Sequence, residues 1–215
     1  MNLESLTKPP HARFRGSVTW HLTPNGLSID GAPPEATTGD PATVRRIWTD
    51  FGESIRYYGA ASRVPVELIV ATIATESGGN PEAVREEPGY VSDEETPNKV
   101  SPGLMQTLLS TAREATGNAL IDRTYLLRPA GSIEAGTAYI ARQEAKTGFD
   151  PPLVAAAYNA GGVYEEAREP NRWRLRCYPL GTGHHVDRWV KWFNDAVRLF
   201  RGIGPPAGSF TDMLT

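Results

Sequence analysis

Residues 65–81 read PVELIVATIATESGGNP, and this stretch sets the fold class. Pro65 suits the opening of a helix, because a helix start needs no N–H from its first residues. Leu68, Ile69, Thr72 and Ile73 recur at helical spacing and lead to Glu76, and Gly78-Gly79-Asn80-Pro81 stops the run. Glu76 lies three residues after Ile73 and seven after Ile69, so it projects from the same face as these apolar side chains. Partial desolvation there would raise its pKa and make it a general acid near neutral pH. The alternative is a helix-end glutamate tipped into solvent, and periodicity does not choose between them.

Helical signals continue on both sides. Upstream, Asp40 is a good N-cap and Pro41 a good first-turn residue; Val44, Ile47, Trp48, Phe51, Ile55 and Tyr58 follow at helical spacing. Downstream, the spacing predicts helices from Gly103 to about Thr116, over Ile133–Thr147 with Ser132 as cap, and over Pro152–Ala160. The cleanest stripe is Val186, Trp189, Val190, Phe193, Ala196, Val197 and Phe200, closed by Gly202. Residues 82–101 are acidic, irregular and broken by proline. Near the N-terminus, Val18, Trp20 and Leu22 alternate with polar residues. Thr-Pro-Asn-Gly then supplies a turn, and Leu27 and Ile29 alternate again, which predicts a hairpin that packs on something else. The reading is mainly α, with a small N-terminal β-hairpin segment. Residues 1–40 form an extension with hairpin and linker, 41–202 the helical domain and 203–215 a tail.

Composition narrows the function classes. At 215 residues, 40% hydrophobic and 22% charged, the chain can bury a sizeable core without metal or disulfide staples. A net charge of -3 argues against a nucleic-acid binder that depends on a global positive field. The single cysteine, Cys177, excludes an intramolecular disulfide framework and any CxxC metal site. The longest mostly apolar stretch, 68–74, is far too short to cross a bilayer, so no membrane insertion is expected. His184-His185 superficially suggests a metal pair, but adjacent side chains point apart, and a structural role at the start of the last helix is the better reading.

Three separated segments carry more information: ATESGGNP (74–81), SPGLMQTLLSTA (101–112) and AAYNAGG (156–162). In this order, with IEAGTAYIARQ (133–143) between the last two, they resemble the lytic transglycosylases of the soluble murein transglycosylase type, a lysozyme-like family. The resemblance spans about residues 45–200. It implies a lysozyme-like helical domain, no cofactor and no metal, and peptidoglycan glycan strands as the partner. It also implies cleavage of the β-1,4 bond between N-acetylmuramic acid and N-acetylglucosamine, with a 1,6-anhydro product.

By the same resemblance, Glu76 is the sole catalytic acid, and Ser77 is its neighbour in the site. Met105 and Gln106 line the sugar subsites, and Tyr139 lines the cleft. Tyr158 orients Glu76 while Asn159 holds a sugar. Leu109 stands where the family commonly has proline, and Trp189 near where it often has tyrosine. Two alternatives stay open. Glu86, Glu87, Asp93, Glu94 and Glu95 could supply a second carboxylate for a lysozyme-type inverting hydrolase. The chain could also be a structural tail or baseplate component with a secondary lytic cleft. The first twenty residues carry no recognisable secretory signal, so the expectation is synthesis in the cytoplasm and action at the periplasm or cell wall. A phage or secretion apparatus would deliver the protein, holding it through the N-terminal segment.

Overall fold

The computed structural model describes residues 1–37 and 41–215. A short helix α1 (Leu3–Thr7) precedes the antiparallel hairpin β1 (Trp20–Thr23) and β2 (Gly26–Ile29). Next come α2 (Ala42–Ser62), α3 (Val66–Glu76) and a second antiparallel hairpin, β3 (Val84–Glu86) with β4 (Val100–Pro102). The remaining helices are α4 (Leu109–Thr116), α5 (Arg123–Leu127), α6 (Pro129–Arg142), α7 (Glu144–Thr147), α8 (Pro151–Ala160), α9 (His184–Ile203) and α10 (Phe210–Met213). The protein is mainly helical, as expected. Asp40, read as an N-cap, lies outside the described residues.

α3 is the centre. Every residue from Val66 to Thr75 is buried, so the helix is enclosed on all sides, and its run is mostly apolar, as a core helix must be. It packs against α2 and α9. Trp189 of α9 donates its indole N–H to Thr72 Oγ1 at 3.1 Å, and the whole predicted stripe of α9 is buried. The Gly-Gly break ends α3 for steric reasons. Gly79 has φ +84°, and a Cβ there would come within 2.8 Å of Ile47 on α2. Arg46 then fastens the turn by donating to the carbonyls of Gly78 and Gly79.

The predicted hairpin forms, with Trp20 opposite Ile29 and Thr23 opposite Gly26. Leu6, Trp20, Leu22 and Leu27 are buried in the same core as α3 and α9, and Phe210 joins them from the other end of the chain. α9 grips the N-terminal segment from beneath: Leu27 N–H donates to Asn194 Oδ1 at 2.8 Å, and Thr37 bonds the Asp195 carboxylate. Buried Glu67 of α3 accepts bonds from the backbone N–H groups of Phe210 and Thr211, fixing α10.

Asp150 makes the tightest tie. Its buried carboxylate accepts from Trp20 Nε1 at 2.9 and 3.0 Å and from His11 Nε2 at 2.8 Å. That bond raises the pKa of His11. Asp150→Ala leaves the Trp20 indole N–H buried without an acceptor and is expected to cost about 3 kcal/mol, read as a lower urea midpoint.

Two predicted helices change at their ends. The stretch read as helical from Gly103 begins only at Leu109, because Gly103 (φ +84°) and Gln106 (φ +47°) sit in the left-handed region. The helix read as 133–147 starts earlier, at Pro129, and breaks at Gln143 into α6 and α7. Ser132 is no cap; its hydroxyl accepts from the Met105 N–H at 3.0 Å. Within the irregular stretch 82–101, β3 and the start of β4 form a short hairpin.

Candidate functional site

A cleft of about 790 Å³ opens where the ends of α3 and α8 face β3, β4 and the loop that leads into α4. Glu76, Arg85, Glu87, Ser101, Gln106 and Thr107 line one part; Tyr139, Tyr158, Asn159, Tyr178 and Pro179 line the other. Glu76, the last residue of α3, sits at its floor with a side chain only 18% exposed. Burial pushes its pKa up to about 7, and the charges of Arg188 and Arg85 offset only part of that rise. The carboxyl is therefore protonated at mildly acidic pH and close to balance at neutrality, which suits one group that both gives and takes a proton. Glu76 does not tip into solvent.

The three sequence motifs meet around this floor, with unequal shares. Gln106, Tyr139, Tyr158 and Asn159 line the cleft. Ser77 and Met105 do not. The Ser77 hydroxyl donates to the Leu104 carbonyl at 2.7 Å and so pins the end of α3 to the second motif. Met105 is fully buried and fills the space that Gly136 of α6 leaves; a Cβ on Gly136 would lie 2.5 Å from its sulfur.

Gln106 donates through its side-chain amide to the carbonyls of Ala83 and Gly103, at 3.0 and 2.8 Å. The Tyr158 hydroxyl donates to the Met105 carbonyl at 2.8 Å and pairs with Thr107 Oγ1 at 2.8 Å; it is not spent on Glu76. Burial holds that phenol well above its ordinary pKa, so it remains a donor. Tyr139 packs edge-on to Tyr158, ring centroids 5.2 Å apart. Tyr158→Phe orphans the Met105 carbonyl and is expected to cost about 1–2 kcal/mol, measured by urea unfolding.

The acidic segment divides clearly. Arg123 of α5 binds Asp93 at 2.7 Å and Glu86 at 3.0 Å, and its guanidinium holds the Asp93 carboxyl below the usual range. Of the five acids singled out by sequence, Glu87 alone lines the cleft, where Arg85 meets it at 2.9 Å.

Sequence reasoning gave His185 only a structural role at the start of the last helix and did not place it in the site. It is buried, with Nε2 3.8 Å from Glu76 Oε1, while its neighbour His184 is exposed. The signal was present: His185 precedes Trp189 by one helical turn and shares its inward face. Tyr178 and Pro179, from an irregular loop with no periodic pattern, were also missed.

The family model described as "Transglycosylase SLT domain" matches residues 53–172. The chain belongs to this family. Two solved structures share the fold. The lytic transglycosylase Slt of Pseudomonas aeruginosa, in an inactive mutant form, is 18% identical; the alignment covers 73% of this chain and 25% of that one, with a TM-score of 0.52. The 70 kDa soluble lytic transglycosylase of Escherichia coli is 20% identical, with 71% and 24% covered and a TM-score of 0.51. This SLT chain thus spans about a quarter of the length of the structures it matches. No curated relative matches it. Among the described residues, no helix is long and apolar enough to cross a membrane.

Proposed function

We propose that this SLT domain cleaves the β-1,4 bond between N-acetylmuramic acid and N-acetylglucosamine in peptidoglycan by lytic transglycosylation, with Glu76 as both acid and base. The observation that carries this reading is the placement of Glu76: a buried carboxyl on the floor of an open cleft, holding its proton to about pH 7. Protonated Glu76 gives its proton to the glycosidic oxygen as the bond to C1 breaks. The resulting carboxylate removes the proton of the muramic acid 6-hydroxyl, whose oxygen bonds to C1 and closes the 1,6-anhydro ring. The proton taken from the 6-hydroxyl restores Glu76, while the one first given stays on the hydroxyl of the released N-acetylglucosamine, so the cycle needs no water and no cofactor. The substrate's own N-acetyl group stabilises the positive charge at C1, in place of a second carboxylate. Gln106 and Asn159, their amides tied to Ala83, Gly103, Tyr178 and His185, shape the cleft wall, and Tyr139 and Tyr178 supply ring faces to the sugars.

One observation favours a second reading. Glu87 lines the same cleft and could activate water for inverting hydrolysis, although its pairing with Arg85 opposes this. The masses of fragments released from purified peptidoglycan separate the two. Anhydro ends, lighter by one water than reducing ends, are expected; reducing ends lost on Glu87→Gln would install the hydrolase.

The reading extends to delivery at the cell wall by a phage tail or secretion apparatus, held through the N-terminal segment. Because Trp20, Leu22 and Leu27 are buried, the carrier would meet the exposed Arg13, Arg15, Pro24 and Asn25. Loss of co-purification with such particles on changing these residues would support that extension; unaltered co-purification would remove it.

A further inference from the structure

His185 sits behind Glu76, and the proposed cycle does not use it. It belongs to the first turn of α9, is 7% exposed, and its Nε2 has no hydrogen-bond partner. A buried, unpartnered ring nitrogen 3.8 Å from the oxygen of a buried carboxyl is an uncommon arrangement, since buried polar atoms are almost always paired.

The surroundings fix which nitrogen carries the hydrogen. The backbone N–H of Tyr178 donates to Asn159, and only the amide oxygen of Asn159 can accept it. Asn159 must therefore turn its NH2 group toward His185, whose Nδ1 lies 3.5 Å from it. Nδ1 faces a donor and so presents a lone pair. In the neutral ring the hydrogen is then on Nε2, on the side of Glu76.

The pair is not an ion pair. Burial, helped by the charge of Arg188 one turn along α9, lowers the His185 pKa to about 4. Glu76 keeps its proton to about 7. Between these values both groups are neutral; above them the carboxylate faces an uncharged N–H donor. The charged groups acting on the pair are Arg188 from α9 and Arg85 from β3. Asn159 and Tyr158 face it from α8 without charge.

Resting on the acid–base role of Glu76 given above, we propose that His185 is a positioning residue whose neutral Nε2–H donates to the Glu76 carboxylate in the interval after its proton has left for the glycosidic oxygen. The contact needs to close by less than about 1 Å, and such bonds commonly tighten only in the reacting complex. The protonated acid gains little from this donor, whereas the carboxylate gains a charge-assisted bond. The interaction is therefore stronger once cleavage has begun than in the resting site, and that difference accelerates the reaction. An imidazolium at this position would instead pull the Glu76 pKa down and deprive the cleft of its acid. Neutrality is what permits the role.

The test compares wild type, Glu76→Gln, His185→Phe and His185→Gln on purified peptidoglycan across pH, with melting curves for each. His185→Phe is expected to lower kcat about 10- to 100-fold with KM little changed. Loss of a donor to the charged form also moves the alkaline limb of kcat/KM to higher pH. His185→Gln, which restores an N–H, should recover most of the rate. A role confined to packing would admit water and move that limb to lower pH, and it would not distinguish Gln from Phe; either result overturns the proposal. Should His185→Phe fail to melt cooperatively, 15N NMR of the wild-type imidazole decides. Nε2–H with a bare Nδ1 is expected between about pH 5 and 8; an Nδ1–H tautomer or an imidazolium overturns the proposal. Activity surviving in Glu76→Gln would bring down the acid–base reading itself. An inactive Glu76→Gln beside unaffected His185 variants would remove the His185 role alone.

Discussion

Glu76→Gln is expected to lower the rate of peptidoglycan cleavage by about 10³-fold or more, because one carboxyl serves both proton transfers and glutamine can perform neither. The variant should fold, and its stability provides an independent check. The Glu76 pKa lies near 7 in the folded protein against an ordinary 4.5, so the native state holds this proton more tightly than the unfolded chain does. The sign follows: this carboxyl costs nothing below about pH 4.5, costs progressively more as pH rises toward 7, and reaches a constant penalty above that. The full penalty is of order 3 kcal/mol. Glutamine removes it. Glu76→Gln should therefore match wild type in urea stability at pH 4 and exceed it at pH 8, by up to about 3 kcal/mol. In the wild-type enzyme, kcat/KM should fall above about pH 7 as the acid loses its proton. Equal stability at both pH values would mean that the Glu76 carboxyl is solvated and that the site is drawn wrongly.

The second large effect is steric. Gly103 opens the loop that bears Met105 and Gln106, at φ +84°, and its N–H donates to the Ala83 carbonyl at 2.7 Å. A Cβ there would lie 1.9 Å from the Leu126 carbonyl oxygen and 2.9 Å from Ser132 Oγ. Gly103→Ala adds a strained left-handed alanine to a clash with backbone that cannot rotate away. The two together are expected to cost about 3–5 kcal/mol. For a chain of this size that lowers Tm by about 10 °C, measured by calorimetry or circular dichroism. Cleavage at low temperature should also suffer, because relief of the clash moves the loop off α5 and α6 and carries Gln106 with it. A shift of Tm under about 2 °C would mean that the loop adapts freely and does not set the cleft wall.

Both effects depend on groups whose legibility in the sequence differs. The end of α3 was readable in part: an apolar run, a carboxylate in line with it and a Gly-Gly stop place Glu76 at a helix terminus, but periodicity left open whether it faces inward or tips into solvent, which packing decides. The stripe of α9 and the Thr-Pro-Asn-Gly turn were equally plain, because each obeys a single local period. The loop over 103–108 was not. Its apolar spacing imitates a helix, and the left-handed conformation of Gln106 is imposed by bonds to Ala83 and Gly103.

Site membership was legible at motif level and less so at the level of single side chains. Ser77 and Met105 belong to the motifs but serve to join α3, α6 and the loop to one another. Tyr158 gives its hydroxyl to Met105 and Thr107, a choice that only packing reveals. His185 escaped because the pair His184-His185 was judged as a pair, whereas only one member faces inward. The acidic segment yielded one cleft residue of five because Arg123, thirty residues beyond Asp93, claims two of the others.

Digestion of purified peptidoglycan in H2(18O), followed by mass spectrometry of the soluble fragments, tests the central claim most directly. Transfer to the substrate's own 6-hydroxyl takes no oxygen from solvent. The expected products are therefore anhydro-muropeptides without label, lighter by one water than reducing fragments and absent with Glu76→Gln. Reducing ends carrying solvent oxygen would contradict the account, and would identify water as the nucleophile.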